Sequence, residues 1–130
     1  MAILVVDDDD ATAEALCELL EADGLAAVCV PDGRQALDHM RGGEPVCLVL
    51  LDLMMPVMNG FEFRDEQLKD ARLSDVPVVI VTADLRPADK ARQLQADGYL
   101  SKPVSPEALL EVTNRFCRRG LDDSEGPRTY

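Results

Sequence analysis

Asp52 closes the apolar run Leu48-Val49-Leu50-Leu51, and Leu53-Met54-Met55-Pro56 and the turn pair Asn59-Gly60 follow it. Such a run reads as a strand buried on both faces, and a strand so buried should not end on an unpaired charge. Three other short apolar runs also lead into polar groups. Ile3 to Val6 leads to Asp7 and Asp8, Val78 to Val81 to Thr82 and Ala83, and Tyr99-Leu100-Ser101 to Lys102-Pro103. Three carboxylates brought together repel, and their pKa values rise unless a cation sits among them. Oxygen ligands with room for water suit Mg²⁺ (or Mn²⁺). A hydroxyl and an ammonium on the other side of Asp52 can donate to the oxygens of a phosphoryl group. An aspartate can itself be the nucleophile and form an acyl phosphate. The chemistry these residue types point to is phosphoryl transfer onto Asp52.

The elements that must position them follow from the pattern along the chain. Ile3 to Val6 is a first strand. Ala13, Leu16, Cys17 and Leu20 repeat at helical spacing, with Asp9 or Asp10 able to cap and Gly24 to stop the helix. Leu25 to Val30 is a second strand, Arg34 to Arg41 a short helix, and Val46 to Leu51 the third strand. Gly60 to about Lys69 reads as a helix with a poor apolar face, because Arg64 and Asp65 fall where core residues are expected. Val78 to Val81 is the fourth strand, Pro87 to Ala96 a polar helix, and Tyr99 to Ser101 the fifth strand. Ser105-Pro106-Glu107-Ala108 opens the last helix with Ser105 as N-cap, and Leu109, Val112, Thr113, Phe116 and Cys117 form its apolar side. Five strand–helix repeats predict a doubly wound α/β fold with a parallel sheet covered on both faces. Ligands then sit at the carboxyl ends of the strands, where these side chains converge.

Composition narrows the function classes. At 130 residues the chain makes one domain with a real core. A net charge of −12 argues against a surface for nucleic acid or anionic membranes. There is no apolar run long enough to span a bilayer and no signal-peptide pattern at the start, which predicts a cytoplasmic protein. Cys17, Cys29, Cys47 and Cys117 form no C-x-x-C pair and are expected to be reduced core thiols.

Each site residue also has a plainer reading. An Asp pair after a strand can be a helix cap, a Thr a turn residue, a Lys-Pro a solvated loop, and Asp52 a solvated strand end. The coincidence of all of them at the ends of different strands favours the site. His39 is expected to be solvated, with no metal-ligand partner. Asp9 and Asp10 are expected to cap, and the acidic piece Asp122-Asp123-Ser124-Glu125 to be disordered.

The segments Ile3-Leu4-Val5-Val6-Asp7-Asp8, Leu51 to Gly60, Val81-Thr82-Ala83 and Tyr99-Leu100-Ser101-Lys102-Pro103 resemble the receiver domain of bacterial two-component response regulators, the CheY-like superfamily. The resemblance implies a flavodoxin-like (βα)5 fold with sheet order 2-1-3-4-5. It implies a receiver over residues 1–119, and the polar composition of residues 120–130 predicts a loose tail. By match, Asp52 accepts a phosphoryl group from a histidine kinase or a histidine phosphotransfer protein. Asp8 and Asp52 would bind Mg²⁺ directly, Asp7 through water, and Met54 by its backbone carbonyl. Thr82 and Lys102 would bind phosphoryl oxygens beside Ala83, and Tyr99 would be the aromatic switch. Phosphorylation would then reshape the surface of the fourth helix, fifth strand and fifth helix, for a downstream protein target.

Three positions depart from the common pattern. The span from Thr82 to Lys102 is about two residues shorter than in chemotaxis-type receivers, Val104 stands where Phe is common, and Phe63-Arg64-Asp65 replaces the common Leu-Leu. The leading reading is a single-domain regulator, monomeric or weakly dimeric when phosphorylated, without nucleic-acid or membrane contact. The alternatives are a receiver from a longer regulator or hybrid kinase, and a Mg²⁺-dependent phosphohydrolase. The last is disfavoured because Met54 stands where such enzymes carry a second Asp. A flavin carrier is disfavoured by the acidic loop from Asp7 to Asp10, which would repel the FMN phosphate.

Overall fold

The computed structural model describes residues 1–118, with the backbone alone of Arg118. The elements are β1 (Ala2–Val6), α1 (Asp10–Ala22), β2 (Ala26–Val30), α2 (Gly33–Arg41), β3 (Val46–Asp52), α3 (Gly60–Lys69), β4 (Val78–Thr82), α4 (Pro87–Leu94), β5 (Gly98–Ser101) and α5 (Pro106–Thr113). A π-helical turn, Asn114–Arg118, continues α5. The five strands are parallel in the order β2-β1-β3-β4-β5. The alternation predicts a covered parallel sheet, and this is the flavodoxin-like order that the receiver resemblance implies.

β3 is the centre of the sheet, and all seven of its residues are buried. Strand side chains alternate between faces, so the sheet carries two cores. Ile3, Val5, Leu48, Leu50, Val79 and Val81 pack with Leu16, Leu20, Leu109 and Val112 of α1 and α5. Leu4, Val6, Val49, Leu51 and Val78 pack with Ala36, Leu37, Met40 and Phe63 of α2 and α3. α4 contributes Ala91 and Leu94 to a smaller cluster with Leu53 and Ile80. β2 is an edge strand, and its residues are half-buried or exposed.

Local chemistry fixes the helix starts. The Asp32 side chain accepts the Gln35 N–H at 2.9 Å and the Ser105 hydroxyl accepts the Ala108 N–H at 3.0 Å. Asn59 and Glu62 form a reciprocal capping box at α3. Asp9 takes the N-cap position of α1, but its carboxylate accepts from the Thr12 hydroxyl and makes no bond to the helix backbone. Gly24 ends that segment in the left-handed conformation, φ 85°.

Two expectations are corrected. The cysteines are not free thiols: Cys17 is bonded to Cys29 and Cys47 to Cys117, with Cα–Cα distances of 7.1 and 5.5 Å. Cys17, Cys47 and Cys117 lie along the core between the sheet and the α1/α5 layer, while Cys29 stands exposed on the edge strand β2; the fold brings together cysteines 12 and 70 residues apart. His39 is half-buried, not solvated, and its Nε2 is shielded without a hydrogen-bond partner. The expected tail, 120–130, lies outside the described residues. Among the described residues no helix is long and apolar enough to cross a membrane.

Candidate functional site

The carboxyl ends of β1, β3, β4 and β5 meet at one edge of the sheet. Val6 pairs with Leu51, Asp52 with Val81, and Thr82 with Ser101. One residue beyond those pairs stand Asp7 and Lys102. The Asp7, Asp8 and Asp52 carboxylates each place an oxygen within 4.8 Å of the other two. Asp7 is 3% and Asp52 8% exposed, while Asp8 faces solvent. Lys102 Nζ donates to Asp7 Oδ2 at 3.2 Å and to Asp52 Oδ1 at 3.5 Å. The Lys102–Pro103 peptide is cis.

One ammonium cannot balance three acids. Burial, and next the Asp7 charge, push the Asp52 carboxyl up to about 6, against the opposing pull of Lys102 and a hydrogen bond from the Met54 backbone. Burial pulls the Lys102 ammonium down, but Asp52 and Asp7 outweigh it and its pKa is raised. The donor set fits a hard divalent cation: three carboxylates in reach of one another, one on the open side, and a charge deficit that a cation would fill.

The loops are built to hold Asp52 in place. The Gly60 N–H donates to the Leu53 carbonyl at 3.0 Å. A Cβ on Gly60 would stand 2.7 Å from the Asp52 carbonyl oxygen, so only glycine lets α3 start this close to the strand end. Between them Val57 adopts φ 68°, and Met58 N–H closes a tight turn onto the Pro56 carbonyl at 2.8 Å. On the other side the Asp7 carboxylate accepts the Asp9 N–H at 2.9 Å.

Thr82 is buried at the end of β4, and its Oγ1 accepts the Asp84 N–H at 3.1 Å. Ala83 is exposed beside it. Met54 is 76% exposed, and its backbone N–H donates to the Asp52 carboxylate. Tyr99 is half-buried against the α4 cluster. The structure thus gathers Asp7, Asp8, Asp52 and Lys102, puts Thr82 on the adjoining strand end, and sets Tyr99 under α4.

The sequence reading gave no role to Arg64. It is 7% exposed and sends three hydrogen bonds to Leu94, Gln95 and Gln67. Burial lowers its pKa, with the Asp97 charge opposing. Its signal was a cation at an apolar helical position.

Residues 3–114 match the family profile described as the response regulator receiver domain. The chain belongs to that family. It is 40% identical over 123 residues to the DNA-binding response regulator MtrA of Mycolicibacterium smegmatis, covering 93% of this chain and 52% of that protein. It is 41% identical over 125 residues to the sensory transduction protein RegX3 of Mycobacterium bovis, covering 94% and 53%. The receiver chain therefore spans about half the length of these curated relatives. Among solved structures, the chemotaxis response regulator CheY4 of Vibrio cholerae superposes with a TM-score of 0.79 at 30% identity, covering 89% of this chain and 98% of that one.

Proposed function

We propose that this receiver domain accepts a phosphoryl group on Asp52 from a phosphohistidine of a histidine kinase or histidine phosphotransfer protein. An Asp52 carboxylate oxygen forms the new O–P bond as the N–P bond breaks, and the departing imidazole keeps the N–P electron pair. The observation that carries the reading is the Lys102 ammonium within 3.5 Å of both Asp7 and Asp52, at the one edge where three carboxylates converge. Mg²⁺ (or Mn²⁺) held by Asp8, Asp52 and the Met54 carbonyl, with Asp7 acting through water, would offset the charge of the incoming phosphoryl group. Lys102 and the Thr82 hydroxyl bind the phosphoryl oxygens beside Ala83, and Tyr99 answers the change under α4.

On this reading the domain covers residues 1–119 and works in the cytoplasm as a signalling module, not a metabolic enzyme. The length of the relatives favours a second form of it, in which the receiver governs a further domain of a longer regulator. The acidic charge of this chain bears only on the receiver's own surface. What the whole protein contacts, nucleic acid included, would follow from that further domain.

Transfer of labelled phosphate from a phosphohistidine protein tests the proposal. Label on the wild-type chain that depends on a divalent cation and is lost in Asp52→Asn supports it. Label retained in Asp52→Asn overturns it.

A further inference from the structure

α4 is held differently at its two ends. Its N-terminal half, Pro87 to Lys90, is only half-buried, and the Arg86 side chain at the N-cap makes no capping hydrogen bond. Two exposed contacts reach that end, the Arg86–Asp89 ion pair at 4.0 Å and the Lys90 ammonium 6.0 Å from the centre of the Phe61 ring on α3, beside a short relay in which Thr82 Oγ1 accepts the Asp84 N–H at 3.1 Å and Asp84 Oδ1 accepts the Arg86 N–H at 2.8 Å. The C-terminal half buries Ala91 and Leu94. There Arg64 Nε donates to the Leu94 carbonyl at 2.9 Å and Nη2 to the Gln95 carbonyl at 2.6 Å. Carbonyls at a helix C-terminus lack intrahelical partners and carry the negative end of the dipole, so a buried cation is well matched to them.

Arg64 is itself fixed. Its Nη1 donates to Gln67 Oε1 at 2.8 Å, and Gln67 Nε2 donates to the Leu73 and Val76 carbonyls at 2.9 and 3.1 Å. Its helix, α3, begins against the Asp52 carbonyl at Gly60.

We propose that Arg64 is a positioning residue that anchors the C-terminal end of α4 to α3, so that a displacement of Thr82 is taken up by residues 83–90 alone. This rests on the phosphoacceptor reading for the displacement, but not for the anchor. A neutral side chain at position 64 would leave the buried Leu94 carbonyl and the partly buried Gln95 carbonyl without this donor and free the whole helix to shift.

Amide hydrogen exchange on the full chain, with and without Mg²⁺ and beryllofluoride, tests this in wild type, Arg64→Leu and Arg64→Lys. In wild type, beryllofluoride should alter exchange over 83–90 and leave 91–97 unchanged. Without beryllofluoride, Arg64→Leu should exchange at least about tenfold faster over 94–97, since bonds to a buried charged group are the strong ones. The beryllofluoride response should then extend into 91–97. Arg64→Lys keeps the charge but not the fork, and should fall between the two. Should Arg64→Leu not fold, Arg64→Lys decides: exchange over 94–97 within about twofold of wild type overturns the anchor. The same result in a folded Arg64→Leu, or a wild-type response spread evenly over 83–97, also overturns it. A wild type with no response to beryllofluoride anywhere overturns the phosphoacceptor reading and the relay, while faster exchange in Arg64→Leu would still uphold the anchor.

Discussion

The Lys102 ammonium stands 3.5 Å from the Asp52 carboxylate, although 50 residues separate them in the chain. It is shared with Asp7 at 3.2 Å, so a single cation serves two buried acids. Lys102→Ala would leave both acids without that charge and remove a donor from the phosphoryl oxygens. Phosphotransfer to the variant should slow by about 10²-fold, the size of effect typical for one preorganised donor. Lys102→Arg should restore charge but only part of the rate. Stopped-flow transfer from a phosphohistidine donor measures both.

Asp52 gives the metal-free chain a pH-dependent weakness. Its folded pKa, about 6, lies above the ordinary 3.8 of the unfolded chain. The folded state therefore holds the proton more tightly, and this contribution is fully present below 3.8 and is lost as pH rises through about 6. Screened by solvent at the open edge, the loss should be about 1–2 kcal/mol. Without metal, the stability difference between Asp52→Asn and wild type should grow in favour of the variant between pH 4 and 7. Mg²⁺ should shrink that difference. Urea titrations at fixed ionic strength test this, and a difference independent of pH would contradict it.

Val57 is a β-branched residue at φ 68° and is 80% exposed. The Met58 N–H on the Pro56 carbonyl makes this a γ-turn, a strained conformation that costs a β-branched residue about 1–2 kcal/mol, with no buried contact to offset it. Val57→Gly should raise stability by about 1 kcal/mol, read from the thermal midpoint. Unchanged or lowered stability would show that the turn needs the valine for another reason.

The paired cysteines predict a chain that resists alkylation until it is reduced. Closing loops of 12 and 70 residues is worth about 3 and 4 kcal/mol in the chain-entropy account. Reduction should therefore lower the thermal midpoint. Full alkylation of the folded chain before any reductant is added would restore the reduced-thiol reading.

These corrections mark where sequence reading stopped. Asp7, Asp52, Thr82 and Lys102 were legible because each sits at the end of a short apolar run, a local pattern, and a parallel sheet brings such ends to one edge. Arg64 was legible only as a misfit, because its partners Leu94 and Gln95 are 30 and 31 residues away on another helix. Cys47 and Cys117 gave no signal, since their meeting depends on how α5 returns across β3. β2 reads as an apolar strand like the others, yet its place at the sheet edge leaves Cys29 exposed.

The most direct test is borohydride reduction of the chain after phosphotransfer, followed by peptide mass spectrometry. Hydride reduces an acyl phosphate to the alcohol, so the modified residue is marked in place. The account predicts homoserine at position 52 and unmodified Asp7 and Asp8. A mark on Asp7 or Asp8, or unmodified Asp52 in a chain that carries label, would contradict it.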